Sequence, residues 1–166
     1  MTLQQFNSLS LPEILSELLR CCGSRRWAEM MAARRPFPSV EVLLTCAEEL
    51  WNGLSHDDWK EAFSHHPRIG DVGKLKEKFA ATAEWASKEQ SGVALASDDV
   101  LQSLAGKNST YEKKFGYIFI VCATGKSAAE ILSLIEERLG NDPGTEIRVA
   151  ANEQSKITKL RLEKLL

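Results

Sequence analysis

Apolar residues recur at intervals of three and four along most of the chain, a spacing that predicts amphipathic helices. The clearest run lies between Leu11 and Cys22, where Ser10 and Glu13 form a capping box and Gly23 supplies a stop. The same periodicity predicts further helices over residues 24–33, 40–54, 55–66, 97–111, 127–139 and from about 145 to the end. Between these, residues 70–93 are compatible with helix but interrupted by glycines.

One segment breaks the helical rhythm. Residues 117–123, YIFIVCA, form a continuous apolar run rich in β-branched and aromatic side chains, which predicts a buried strand or extended segment. No internal repeat, low-complexity tract or long linker marks a boundary. The sequence therefore predicts an all-α fold: a single domain over residues 1–166, a bundle of about eight helices with one short extended segment near 117–123.

Charge and composition narrow the function classes. The 21 basic and 23 acidic residues give a net charge of -2, whereas a nucleic-acid-binding protein concentrates positive charge. No apolar stretch reaches the roughly 20 residues that cross a bilayer, and the first residues do not resemble a signal peptide. The four cysteines form neither zinc-type pairs nor a dense disulfide framework. We expect a cytoplasmic protein with reduced thiols and no nucleic-acid or membrane partner.

Residues 64–71, SHHPRIGD, place two histidines directly before a proline. Pro67 ends the helix at or before His66, so the imidazole points out of the helix end, where the helix dipole favours a protonated ring. On these residues alone, the plainer interpretation of a helix end with surface histidines is favoured over a chemical site. A zinc site is less favoured still, because the three histidines lack the HExxH spacing and no cysteine pair joins them.

The GKS sequence at 125–127 suggests a phosphate-binding loop, but the Walker glycine five positions earlier is replaced by Ile120. What remains is a Ser127 helix cap whose backbone N–H groups could meet a small anion. The sequence thus gives no support for a nucleotide-binding site.

Arg161 falls inside the apolar stripe of the last helix, close in angle to Gln154. The stripe itself is formed by Ile147, Ala150, Ala151, Ile157 and Leu165. The guanidinium either extends to solvent or needs an anion or carbonyl oxygens, so Arg161 is a candidate binding residue. Glu89 and Gln90 precede a serine and a glycine, and could recognise a planar amide or urea group or form an exposed helix end.

Four stretches, taken in order, resemble one family, the 2-oxo-4-hydroxy-4-carboxy-5-ureidoimidazoline (OHCU) decarboxylases of urate breakdown. They are HPRIGD (66–71), SKEQSG (87–92), KFGYIFIVCATGKS (114–127) and KITKLRLEKL (156–165). The resemblance spans nearly the whole chain, and its specificity comes from the order of the motifs. It implies an all-helical homodimer that acts on the small molecule OHCU without a metal or organic cofactor.

The resemblance also implies roles for particular residues. The histidine before proline, His66, is the central catalytic residue, and Glu89, the acid of the EQ pair, is the second catalytic residue and binds the substrate. The implied substrate-binding residues are Pro67, Ser87, Gln90, Ile118, Phe119, Ile120, Val121 and Arg161. One departure concerns position 86, where the family often has a hydroxyl residue and this chain has Ala86. Ser87 either takes over that contact or the contact is missing.

The implied function is cofactor-independent decarboxylation of OHCU to (S)-allantoin and CO2 in urate (purine) degradation. Two alternatives stay open: a non-catalytic helical binding protein with the same fold, and a decarboxylase of a related ureido compound. The last residues, EKLL, lack a peroxisomal SKL-type signal, in keeping with a cytoplasmic location.

Overall fold

The computed structural model describes residues 1–66 and 97–166, which form eight α-helices. They are α1 (Leu3–Ser8), α2 (Leu11–Cys21), α3 (Arg25–Ala33), α4 (Val40–Asn52), α5 (His56–Ser64), α6 (Asp98–Phe115), α7 (Ala128–Arg138) and α8 (Pro143–Leu165). The described ranges contain no strand, and the predicted all-α class is confirmed. Within these ranges no helix combines the length and apolarity needed to cross a bilayer.

Side-chain caps fix where these helices begin. The predicted capping box at the start of α2, Ser10 with Glu13, is present, and α5 begins with a box of the same kind, Ser55 with Asp58. Helix α5 ends at Ser64, in agreement with the predicted end at or before His66. Sequence periodicity missed α1, because this six-residue helix buries a single side chain, that of Phe6.

The apolar run at 117–123 connects α6 to α7 and is neither helix nor strand. Its predicted burial is confirmed, since Tyr117, Phe119, Ile120 and Cys122 are buried. Of the two predicted alternatives, the strand is wrong and the extended segment remains. A strand needs a second strand to pair with, and the described residues contain none. Burial of this segment comes instead from packing against helices.

Contacts divide the chain into two compact units. The first comprises Met1–His66 with Ala151–Leu166, and the second comprises Pro67–Ala150. Helix α8 therefore contributes its first part to the second unit and the rest to the first. The single-domain organisation stays a prediction.

In the first unit, two buried tryptophans bond to the backbone of neighbouring helices. The indole N–H of Trp27 donates to the Ala47 carbonyl at 3.0 Å, and that of Trp51 donates to the Ala151 carbonyl at 2.8 Å. Since a buried indole N–H needs an acceptor, these bonds fix how α3 meets α4 and how α4 meets the later part of α8. The Trp51 bond thus joins α4 to the part of α8 that carries Arg161.

Candidate active site

His66 lies just beyond the end of α5, with its backbone N–H donating to the Phe63 carbonyl at 3.2 Å. The half-buried imidazole places Nε2 at 2.5 Å from Oε1 of Gln154, on α8 in the same unit. The imidazole therefore makes a specific contact with a neighbouring helix, unlike a ring on an open surface. The structure does not support the surface-histidine interpretation for His66, whereas the neighbouring His65 is exposed.

Gln154 is fully buried and continues the contact from His66 along α8. Its amide Nε2 donates to the Thr158 hydroxyl at 3.1 Å. Burial raises the pKa of the Cys22 thiol to about 12, opposed by hydrogen bonds with the Ser24 backbone and the Thr158 hydroxyl. The thiol thus stays protonated, and uncharged, near neutral pH.

The predicted apolar stripe of α8 needs a correction in this region. Ile157 and Leu165 are only half-buried, whereas Gln154, Thr158 and Leu162 are buried. The buried face follows residues 154, 158 and 162 because these are four apart and point the same way. Two polar side chains therefore take positions that the pattern assigned to apolar ones.

Arg161 lies one turn beyond Thr158 and reaches the end of α2. Its Nη1 donates to the backbone carbonyls of Cys21 at 3.1 Å and Arg20 at 3.3 Å. These carbonyls belong to the last turn of α2, where they have no intrahelical partner and the helix dipole is negative. Of the two sequence interpretations, the structure supports the one that pairs the guanidinium with carbonyl oxygens.

The end of α2 also meets the end of α5. Gly23 has φ of +90°, and a Cβ built on it would lie 2.9 Å from His65 Cβ and 3.3 Å from the Ala62 carbonyl oxygen. Only glycine allows this approach without strain. The turn after α2 therefore contacts the helix end that precedes His66, while the last turn of α2 contacts Arg161 on α8.

Residues Ile118–Val121, predicted to contribute backbone groups, lie in the second unit. Phe119 and Ile120 are buried, and Ile118 and Val121 are half-buried. Arg138 holds the segment: Nη1 donates to the Ile120 carbonyl at 2.8 Å, and the guanidinium lies 4.4 Å from the Phe119 ring centroid. Among the described residues, none accepts a hydrogen bond from the backbone N–H groups of residues 118–121.

Behind this segment lies a buried ion pair that sequence reasoning missed. Arg138 Nη2 lies 2.6 Å from Oε1 of Glu146, which also accepts a hydrogen bond from the Tyr111 hydroxyl, and Oε2 accepts one from Asn141 at 2.8 Å. Burial and the bond with Glu146 raise the pKa of Tyr111, so its hydroxyl stays a donor. The sequence does contain a signal for this ion pair: Arg138 lies on the same face of α7 as the buried Ile131 and Ile135, where a charged side chain needs a partner.

The structure brings His66 and Arg161 into one unit, on two elements that both meet the end of α2. Four predicted site residues lie outside the described residues: Pro67, Ser87, Glu89 and Gln90. The possible anion site at Ser127 is occupied by the helix's own cap, since the Ser127 N–H donates to Glu130 Oε2 at 2.7 Å.

Comparison with known proteins gives a consistent result. Residues 7–163 match the family described as OHCU decarboxylase. The chain is 42% identical over 147 residues to the uric acid degradation bifunctional protein TTL of Arabidopsis thaliana, covering 87% of this chain and 45% of that protein. It is 28% identical over 163 residues to the 2-oxo-4-hydroxy-4-carboxy-5-ureidoimidazoline decarboxylase of Haloferax volcanii, covering 98% of this chain and 94% of that protein.

A solved structure of OHCU decarboxylase in the presence of (S)-allantoin is also similar. It superposes with a TM-score of 0.71 at 39% identity, covering 90% of this chain and 96% of that chain. The chain thus spans less than half of the bifunctional Arabidopsis relative and almost all of the Haloferax volcanii one.

Proposed function

Because the chain belongs to the OHCU decarboxylase family, we propose that it decarboxylates OHCU to (S)-allantoin and CO2 in urate degradation. The observation that carries this proposal is the pairing of His66 with a buried amide, in the same unit as the cationic Arg161. A titratable ring held by a specific partner suits proton transfer, and a guanidinium in the same unit suits an anionic substrate.

The substrate itself supplies the electron sink for this reaction. One ring carbon bears the carboxylate and a hydroxyl, and the adjoining carbon bears the ureido group. When the C–CO2 bond breaks, CO2 leaves and its electron pair moves into the adjoining C=N system of the ring. The ring nitrogen that received the pair takes up a proton, a second proton is added to the carbon that bears the ureido group, and the hydroxyl loses its proton to become the product carbonyl. This substrate chemistry is why we propose that no organic cofactor or metal takes part.

His66 is the general acid/base in this proposal. Its imidazole exchanges a proton with the substrate hydroxyl and carboxylate as the C–C bond breaks, since imidazole is the side-chain group whose ordinary pKa lies nearest neutral pH. Arg161 binds substrate carbonyl oxygens and offsets the developing negative charge. To do so, the guanidinium turns from the Arg20 and Cys21 carbonyls or shares its remaining N–H groups with substrate, since arginine carries five donors.

The remaining roles follow from the family motifs. Glu89 holds the ureido N–H groups, Gln90 fixes the ring, and Pro67 and Ser87 line the pocket. In this proposal the backbone N–H groups of Ile118–Val121 also bind substrate, supported by their lacking acceptors in the described ranges. We propose that the enzyme works as a cytoplasmic homodimer.

The direct test is circular dichroism of OHCU made in situ from urate by urate oxidase and hydroxyisourate hydrolase. We expect this protein to accelerate the appearance of the (S)-allantoin signal, with release of one CO2. If folded protein gives no acceleration, the decarboxylase proposal fails. A binding protein or a decarboxylase of a related ureido compound would then account for the fold.

The role of His66 is tested with a matched pair of variants. His66→Asn removes proton transfer and is expected to abolish turnover with the fold intact, as judged by far-UV circular dichroism. His65→Asn changes the adjacent exposed imidazole, keeps the Cβ that Gly23 approaches, and is expected to retain activity. Near-normal turnover by His66→Asn would rule out the proposed role.

A further inference from the structure

We propose that Gln154 is a positioning residue that holds the neutral His66 ring as its Nε2–H tautomer. Nδ1 is then the nitrogen that exchanges a proton with substrate. This inference rests on the proposed function and adds a residue and an atom to it. The geometry that points to it is the 2.5 Å contact between His66 Nε2 and the amide oxygen of Gln154.

An amide oxygen only accepts hydrogen bonds, and a neutral imidazole has one donor and one acceptor nitrogen. His66 Nε2 must therefore carry the proton at this contact, which leaves Nδ1 as the basic nitrogen. Both groups lie where water competes little, since Gln154 is fully buried and His66 is half-buried. The contact thus selects one tautomer.

The amide could select the other tautomer only if it were rotated by half a turn, with its NH2 group towards His66. In the structure the Gln154 NH2 group instead donates to the Thr158 hydroxyl at 3.1 Å, and the amide oxygen faces His66. Thr158 therefore accepts from one end of the amide while the other end contacts the imidazole.

A neutral amide suits a histidine that must gain and lose a proton. When Nδ1 takes up a proton, the Nε2–H bond to Gln154 becomes charge-assisted and stronger, so the imidazolium is stabilised. A carboxylate in place of the amide would stabilise the cation far more and raise the pKa of His66. Gln154 therefore orients the ring and still allows it to change between the neutral and the protonated form.

The test compares Gln154→Met, which has no strong acceptor but similar volume, with Gln154→Glu, which keeps the acceptor oxygen. Nitrogen-15 NMR of the imidazole should show the Nε2–H tautomer in the unmodified protein and a mixture in Gln154→Met. We expect kcat of Gln154→Met to fall about 10- to 100-fold with a smaller change in KM, as for other partners that orient histidines.

Gln154→Glu should keep the Nε2–H tautomer and move the acidic limb of the kcat profile to higher pH. Thr158→Val removes the group that orients the amide, and is expected to give a smaller fall in kcat, about two- to tenfold. Asn152→Met is the matched control, because it replaces an exposed amide on the same helix. It should change neither the tautomer nor kcat.

An Nδ1–H tautomer in the unmodified protein would overturn the inference, as would an unchanged kcat and tautomer in Gln154→Met. If Gln154→Met fails to fold, the pH profile of Gln154→Glu and the turnover of Thr158→Val decide the question, and no change in either overturns it. If the unmodified protein does not turn over OHCU, the proposed function fails. The tautomer measurement needs no substrate and still decides whether Gln154 orients the ring.

Discussion

Arg138 donates from Nη1 to the backbone carbonyl of Ile120 at 2.8 Å, and so ties α7 to the segment proposed to bind substrate through its backbone. The same guanidinium pairs with Glu146, whose carboxylate is completely buried. One side chain therefore neutralises a buried charge and fixes a loop. Removing it should affect stability and catalysis by separate routes.

The first prediction separates these two effects. Arg138→Met leaves the Glu146 carboxylate buried without its cationic partner, which costs about 3–5 kcal/mol in unfolding free energy. Urea unfolding followed by circular dichroism measures the loss. A loss below 1 kcal/mol would show that the pair contributes little to the folded state.

The matched control removes both charges. Arg138→Met with Glu146→Leu should recover much of the lost unfolding free energy, because replacing a buried pair by apolar groups is often neutral or stabilising. It should not recover turnover, because the Ile120 carbonyl still lacks its donor. Full activity in the double variant would contradict the positioning role of Arg138.

The second prediction concerns Arg161. Arg161→Gln loses the guanidinium proposed to bind substrate, and kcat/KM is expected to fall about 100-fold or more. Its bonds to Arg20 and Cys21 are only partly buried, so the unfolding free energy should fall by about 1 kcal/mol or less. Arg20→Gln is the control: its side chain is 74% exposed and should affect neither quantity.

The third prediction concerns Gly23. Gly23→Ala forces a Cβ into a left-handed conformation, at about 1–2 kcal/mol. It also brings that Cβ within 2.9 Å of His65 Cβ, so α5 must shift. We expect a total loss of about 2–3 kcal/mol in unfolding free energy, with reduced kcat because His66 moves with α5. Gly106→Ala, where a Cβ meets nothing within 4 Å, should not destabilise the fold.

Apolar periodicity and capping residues predicted most of the helices, because both patterns can be recognised within a few neighbouring residues. Ser10 with Glu13 and Ser55 with Asp58 mark helix starts directly in the sequence, and the structure has both caps. Helix α1 has the same kind of cap, Thr2 with Gln5, but too few buried positions to show a period. A short helix is specified mainly by tertiary packing, which a periodicity argument does not see.

The candidate site was predictable where a residue conflicts with its surroundings. His66 before a proline and Arg161 within an apolar stripe both stand out in the sequence. Gln154 lies in the same stripe, but its contact with His66 is not visible in the sequence because the two residues are 88 positions apart. Glu146 is hidden for the same reason, since an acidic residue in the first turn of a helix is normally a surface residue. Long-range partners of buried polar groups are not encoded in local patterns.

The last prediction concerns alkaline pH. Burial raises the pKa of Cys21 to about 11 and that of Cys22 to about 12, from an ordinary value of 9.0. Between pH 9 and 11 the unfolded chain loses these protons while the folded chain keeps them, so deprotonation favours unfolding. The contribution of these thiols to the free energy of unfolding should therefore not change with pH below pH 9, and should fall as the pH rises above 9. Each thiol contributes a slope of about 1.4 kcal/mol per pH unit.

Urea unfolding at intervals from pH 8 to pH 11 measures this slope. Burial also raises the pKa of Tyr117 to about 12, which adds to the fall above pH 10. Cys22→Ala should reduce the slope between pH 9 and 10 by up to about 1.4 kcal/mol per unit, whereas Cys46→Ala, at a half-buried thiol, should reduce it less. A slope that Cys22→Ala leaves unchanged would mean that Cys22 is accessible to solvent in the folded protein.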